Sequence, residues 1–74
     1  MKSRATRRFW ELFGALPVEV RKQAYKAYGL FEGNPFHSSL HFEEVDRSAG
    51  LWSARVNDNY RVPGYRQDGE IRWF

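Results

Sequence analysis

Residues 50–62 of this chain predict two short strands joined by a tight polar turn, a pattern that favours antiparallel pairing in the C-terminal half. Every second position of the first strand is apolar, as in a strand with one buried face: Trp52, Ala54 and Val56. Asn57-Asp58-Asn59 follows, and these residue types favour turns because they tolerate left-handed backbone and bond their own main chain. Each strand also carries one arginine that alternation places away from its apolar neighbours, Arg55 and Arg61. We therefore expect both guanidinium groups on one exposed surface.

This pair of arginines makes phosphate binding the first function to consider. The planar guanidinium presents donors that match phosphate oxygens two at a time, and it stays charged at physiological pH. The chain has 12 Lys and Arg against 9 Asp and Glu, a net charge of +3 that suits a polyanionic partner. The hypothesis requires Arg55 and Arg61 to converge on one patch, and internal ion pairs would count against it.

Two helices are predicted before the strands. Ser3 suits the N-cap of a first helix that runs to about Ala15, along which apolar residues recur every three or four positions. Pro17 suits the first turn of a second helix, where its missing N–H costs nothing. Gly33-Asn34-Pro35 ends that helix, since glycine favours the C-terminal position and proline cannot continue it. The short link predicts an antiparallel helical hairpin over about residues 3–33.

From about residue 39 the hydrophobic period changes to that of strands. Gln67-Asp68-Gly69 predicts a further hairpin turn, followed by a last strand that ends at Phe74. The fold class expected is α+β, with the helical hairpin packed on a small antiparallel sheet over about residues 39–74, all within a single domain of residues 1–74. All three tryptophans are expected in the core: Trp10, Trp52 and Trp73.

Several functional classes are excluded by composition. The absence of cysteine rules out disulfides and thiolate metal sites. His37 and His41 are the only imidazoles, in a segment that reads as extended, and no metal or small-molecule cofactor is expected. No apolar run approaches the roughly 20 residues of a membrane span. The basic N-terminus lacks the apolar stretch of a secretory signal, so a cytoplasmic location is expected.

The order of these elements, with the motifs Leu51-Trp52-Ser53-x-Arg55-Val56 and Tyr60-Arg61-Val62, resembles the RelE/ParE superfamily of bacterial toxins. The run from Gly50 to Arg61 is especially similar to the YoeB-type branch. The resemblance covers the chain from about Phe9 to Phe74, and it depends more on order and spacing than on any one residue.

The resemblance implies a toxin of a type II toxin–antitoxin system that cuts mRNA at the ribosomal A site and is neutralised by a cognate antitoxin. Such cleavage needs a base for the RNA 2′-OH, positive charge on the phosphorane and an acid for the leaving oxygen. By position, Arg61 matches the family's phosphate-stabilising arginine, and Arg55 matches a basic residue in the same groove. Glu43 or Glu44 falls near the family's general base, and we assign Glu44. The RNA-binding residues expected are four arginines: Arg55, Arg61, Arg66 and Arg72.

The sequence departs from the family pattern at three points, one of which is Pro63, where a central strand normally has an apolar residue with a free N–H. Members continue past the last strand to a segment with a His, Tyr or Arg, and this sequence stops at Phe74 before it. Ser53 and Ala54 stand where other members often carry Lys or Arg. A truncated or inactive toxin is therefore one expectation. The alternatives are a ParE-like inhibitor of DNA gyrase and a non-catalytic module that binds RNA or protein.

Overall fold

Two helices and a five-stranded mixed sheet make up the computed structural model of the protein, which describes all residues from Met1 to Phe74. The helices are α1 (Arg7–Gly14) and α2 (Val18–Gly33). The strands are β1 (Lys2–Ala5), β2 (Glu43–Asp46), β3 (Leu51–Arg55), β4 (Arg61–Gln67) and β5 (Glu70–Trp73). Their order in the sheet is β1-β5-β4-β3-β2. The α+β class expected from the sequence is confirmed.

The N-terminus departs from the expectation of a helix that starts at Ser3. Residues Lys2–Ala5 form a strand that pairs in parallel with β5, so the chain begins with β1 and the sheet is mixed instead of antiparallel throughout. Thr6 caps α1, its side-chain oxygen accepting a hydrogen bond from Phe9 N at 3.1 Å. Ser3 instead accepts a hydrogen bond from Trp73 Nε1 at 2.9 Å. No local pattern reveals this strand, because its pairing partner lies at the other end of the chain.

The bounds of helix α2 and the two turns between strands agree closely with those predicted from the sequence. Pro17 is the N-cap of α2 and Gly33 is its last residue. In the turn after β3, Asn57 Oδ1 accepts hydrogen bonds from Asn59 N at 2.8 Å and Tyr60 N at 2.9 Å. The turn after β4 places Asp68 (φ 52°) and Gly69 (φ 75°) in left-handed backbone, which a two-residue hairpin of type I′ requires.

The core lies between α2, the 3₁₀ turn Ser38–Leu40 and one face of the sheet, which we call the covered face. Phe31 of α2 meets Trp73 of β5 with ring centroids 5.4 Å apart. Six buried residues form one cluster: Phe31, Leu40, Phe42, Ala54, Ile71 and Trp73. The packing of this cluster fixes α2 against the central strands of the sheet.

Helix α1 is packed much less tightly. It has no buried residue, and Trp10 is 52 % exposed, so the expectation of Trp10 as a core residue is wrong. Between the two helices and the covered face runs a recess of about 290 Å³, here the apolar recess, lined almost wholly by hydrophobic side chains. Its members include Ala5, Phe9, Ala24, Tyr28, Val62 and Trp73. The apolar recess therefore leaves space for a partner between the helices and the covered face of the sheet.

Candidate functional site

The face of the sheet away from the core carries most of the candidate residues, and we call it the open face. The β3–β4 register places Arg55 directly opposite Arg61, and the β4–β5 register places Tyr65 opposite Arg72. Residues paired in this way project to the same side of a sheet. The open face thus brings together three of the four arginines expected to bind RNA.

Arg61 is the most firmly held of these side chains. Its Nε and Nη2 donate to Ser53 Oγ at 3.1 and 2.9 Å, and Nη2 also donates to the carbonyl oxygen of His41 at 2.8 Å. Glu43 Oε1 lies 3.3 Å from Nη2 as a third acceptor. Ser53, which accepts two of these hydrogen bonds, is only 8 % exposed. Arg61 therefore has one preferred orientation before any ligand arrives.

One nitrogen of the Arg61 guanidinium remains free. Nη1 makes none of the hydrogen bonds within the protein, and the side chain is 39 % exposed. An ordered cation with unengaged donors loses little conformational entropy when it binds an anion. The geometry thus suits Arg61 to hold a phosphate oxygen through Nη1 while its other nitrogens stay anchored.

The local backbone explains why these acceptors meet Arg61. His41 ends the 3₁₀ turn in left-handed backbone (φ 43°), with its carbonyl oxygen within reach of β4. Antiparallel pairing places Glu43 of β2 opposite Ser53 of β3. Ser53 pairs in turn with Pro63 of β4, two positions from Arg61 on the same face. Glu43, Ser53 and Arg61 are therefore neighbours across three adjacent strands.

Arg55 is engaged differently. It forms an ion pair with Asp58 in the turn that follows its own strand. Like charges directly opposite across two strands repel, and separate carboxylate partners offset this for Arg55 and Arg61. The carboxylates are well exposed, Asp58 at 86 % and Glu43 at 65 %, so a polyanion could displace them. Both arginines therefore lie in internal ion pairs, the outcome that counts against the phosphate site expected from the sequence, and phosphate binding by the pair requires displacement of these exposed carboxylates.

Two residues expected in the site lie elsewhere. Glu44 pairs in register with Trp52, not with Ser53, and its carboxylate lies 4.0 Å from Arg47 Nε. The guanidinium of Arg66 stacks over the Trp52 ring at 4.6 Å from the centroid, on the side of the covered face. The structure does not bring Glu44 or Arg66 together with Arg61.

Sequence reasoning missed part of the group around Arg61. Glu43 and Glu44 were both considered, and the register now distinguishes them, because only Glu43 shares the row of Ser53. Ser53 could have been found, since alternation along β3 puts it on the same side as Arg55. The carbonyl of His41 gave no signal, because a main-chain contact between residues 20 positions apart depends on the fold.

A second recess, of about 180 Å³, lies between α1, the start of α2 and the first residues of β4. It is lined mainly by apolar side chains, and Arg61 is also one of its lining residues.

The titrating groups give little further guidance. At Asp46, the last residue of β2, the Ser48 hydroxyl, helped by the Ala49 and Ser48 amides, holds the pKa of the carboxyl below its ordinary value. No three His, Asp or Glu side chains are grouped closely enough to hold a metal ion. Neither helix has the length and apolar character needed to cross a membrane.

Comparison with protein-family models finds no match to this chain, and comparison with curated proteins finds none either. The assignment of function therefore depends on the geometry of the open face and on the sequence motifs that surround it.

Proposed function

We propose that the protein is a RelE/YoeB-like toxin of a bacterial type II toxin–antitoxin system, which cuts mRNA on the ribosome. The observation that carries the proposal is the anchored Arg61, with Glu43 beside it and Nη1 free, on an open sheet face. A fixed cation aimed at developing negative charge is the usual means of stabilising a phosphorane without a metal.

In the proposed reaction the RNA 2′-oxygen attacks the adjacent phosphorus as the P–O5′ bond breaks, leaving a 2′,3′-cyclic phosphate and a 5′-hydroxyl end. Glu43 takes the proton from the 2′-OH, in place of the Glu44 first assigned, since Glu43 lies within 3.3 Å of Arg61 Nη2. Arg61 neutralises the charge on the phosphorane. The imidazole of His41, exposed and next to the carbonyl that anchors Arg61, is the candidate acid for the leaving oxygen.

The proposed antitoxin would contribute an amphipathic, acidic segment. Its apolar side would fill the recesses between the helices and the sheet, and its carboxylates would pair with Arg61 and its neighbours. The apolar lining of both recesses supports a hydrophobic segment, and the basic residues of the open face support an acidic one. Neutralisation would then follow from direct cover of the catalytic cation.

The test is induced expression in bacteria followed by mapping of mRNA 5′ ends. We expect A-site cuts for the wild type and a loss of about 10²–10⁴ in cleavage for Glu43→Gln. Glu44→Gln is the matched control and should cleave normally. Arg61→Ala should lose about 10²–10³ in rate, as when one donor to a transition-state oxyanion is removed. Normal cleavage by Glu43→Gln with loss in Glu44→Gln would reverse the assignment of the base.

A protein-binding function without catalysis, including inhibition of DNA gyrase as in the ParE branch, is the alternative. The apolar recess favours it, because a groove with few polar groups suits a protein segment better than a nucleic acid. Inhibition of gyrase supercoiling, with no A-site cuts in the mapped mRNA, would establish this alternative and refute the first proposal.

A further inference from the structure

Tyr65 and Phe74 form a stacked pair of aromatic rings on the open face. Their centroids lie 4.6 Å apart with an angle of 16° between the planes. Tyr65 is 50 % exposed, although it lies on the central strand β4. Phe74 is held in place by its backbone N–H, which donates to Pro63 O at 3.1 Å. The two rings make a rigid apolar surface, here the aromatic platform, outside the core.

The charge beside the platform is positive. Arg72 lies opposite Tyr65 on β5, is exposed and takes part in none of the ion pairs of the protein. On the side of β5 away from Tyr65, Arg4 of β1 pairs in register with Arg72. Arg4 forms an ion pair with Glu70, with 3.3 Å between Arg4 Nε and Glu70 Oε1. A free guanidinium next to an exposed ring pair matches a ligand with alternating anionic groups and flat apolar rings.

Tyr65 of the platform and Arg61 belong to the same strand and project to the same face of the sheet. Arg61 and Tyr65 are four positions apart, which corresponds to roughly 13 Å along an extended strand. A short single strand of nucleic acid covers this distance. Arg66 is the informative contrast, since its guanidinium stacks on Trp52 and Phe36 within the protein and lies on the other side of the sheet.

We propose that the aromatic platform stacks a base of single-stranded RNA while Arg72 holds a neighbouring phosphate, which positions the strand along the open face toward Arg61. The inference rests on the proposed function and assigns the residues that hold the RNA away from the reacting phosphate. Stacking on aromatic side chains next to basic groups is the general way in which proteins bind unpaired bases.

The test measures the affinity of a fluorescently labelled ten-nucleotide oligouridylate, a strand with little structure of its own. Tyr65→Ala is expected to raise Kd roughly 5- to 150-fold, the range for loss of one base–aromatic stack. Tyr65→Trp should retain the affinity. Tyr25→Ala removes another exposed aromatic ring, 61 % exposed on α2, and should leave Kd unchanged. Thermal unfolding checks that every variant is folded, and Tyr65→Ile, which keeps a good strand residue, replaces Tyr65→Ala if that variant unfolds.

The role of Arg72 has a separate readout. For Arg72→Gln the slope of log affinity against log salt should become shallower by about 0.7, the value for one phosphate contact with a single strand. Tyr65→Ala should leave the slope unchanged, because a stacked base releases no counterions. This difference separates stacking from charge.

The platform would be refuted if the wild type did not bind the oligouridylate, or if a folded variant without the Tyr65 ring kept the wild-type Kd. Equal affinity for duplex RNA would also refute it, because bases in a duplex are not free to stack on the protein. None of these outcomes decides the proposed cleavage, which the mapped mRNA ends test independently. Conversely, stacking without A-site cuts would leave the platform intact and refute the toxin proposal.

Discussion

Helix α1 and strand β5 both carry large apolar side chains, but only β5 buries them. Phe9, Trp10, Leu12 and Phe13 all lie in α1, and none is buried. Strand β5 has four residues, of which Ile71 is 0 % and Trp73 6 % exposed. β5 has a strand on each side and α2 above it, whereas α1 faces the sheet across open recesses. Apolar content identifies candidates for the core, and the neighbouring elements decide which of them are buried.

The largest expected effect is on the buried side of this comparison. Ile71→Ala should lower the free energy of unfolding by about 2–5 kcal/mol, because it opens a cavity that the sheet cannot close. Leu12→Ala in α1, where the side chain is 51 % exposed, should cost no more than about 1 kcal/mol. Urea unfolding followed by fluorescence measures both. Similar losses would mean that α1 is as well packed as β5, and the comparison would fail.

Two glycines give the next effect, with opposite signs. A Cβ on Gly64 would lie 2.8 Å from Trp73 Cε3 and 3.0 Å from Ile71 Cδ1, so Gly64→Ala should destabilise by about 1–3 kcal/mol through overpacking. A Cβ on Gly29, in α2, meets nothing within 4 Å. Gly29→Ala should stabilise by about 0.5–1 kcal/mol, because alanine restricts the unfolded chain and favours helix.

The matched pair is measured in the same unfolding assay. A neutral Gly64→Ala would show that the covered face has room for a methyl group, and that the tight packing assigned to β5 is overstated.

A smaller effect tests where α1 begins. Thr6→Ala should cost about 1 kcal/mol by removing the N-cap of the helix. Ser3→Ala should cost about 0.5–1.5 kcal/mol by removing the acceptor for Trp73 Nε1. The two are told apart by NMR: Ser3→Ala shifts the Trp73 indole N–H signal, while Thr6→Ala speeds amide exchange in α1. The reverse pattern would restore the helix start that the sequence alone indicated.

The smallest effect concerns Asp46, the last residue of β2 before the turn to β3. Its pKa is lowered in the folded protein, so its contribution to stability is complete above the ordinary pKa of the carboxyl and is lost as the pH falls through the lowered value. Ser48→Ala should move the pKa of Asp46 up toward its ordinary value, since the Ser48 hydroxyl is the main cause of the shift. NMR titration measures this, with Ser39→Ala as a control that leaves Asp46 unchanged.

Much of the fold was predictable because its signals are local. The end of α2 at Gly33, the Asn57 turn and the turn at Asp68-Gly69 follow from residues whose backbone preferences act within a few positions. Alternation along β3 also separated Arg55 from the buried Ala54. The candidate site was predictable in part for the same reason, since Arg55 and Arg61 flank one turn.

The rest of the site depends on contacts between distant segments. Glu43 and Glu44 are adjacent, and the pairing of β2 with β3 alone places Glu43 opposite Ser53. Arg66 and Arg72 are equally basic in sequence, yet one stacks on Trp52 and the other stays free beside Tyr65. These outcomes required the register of the sheet.

By itself the sequence determined strands β3, β4 and β5, the turns that join them and the presence of arginines on an outward surface, since periodicity and turn chemistry operate over a few residues. The tertiary structure alone decided that the chain begins with a strand, that α1 leaves its aromatic side chains half uncovered, and that Arg61 is anchored by Ser53 and His41. The physical reason is that these features come from pairing and packing between segments far apart in the chain, which leave no mark on local composition.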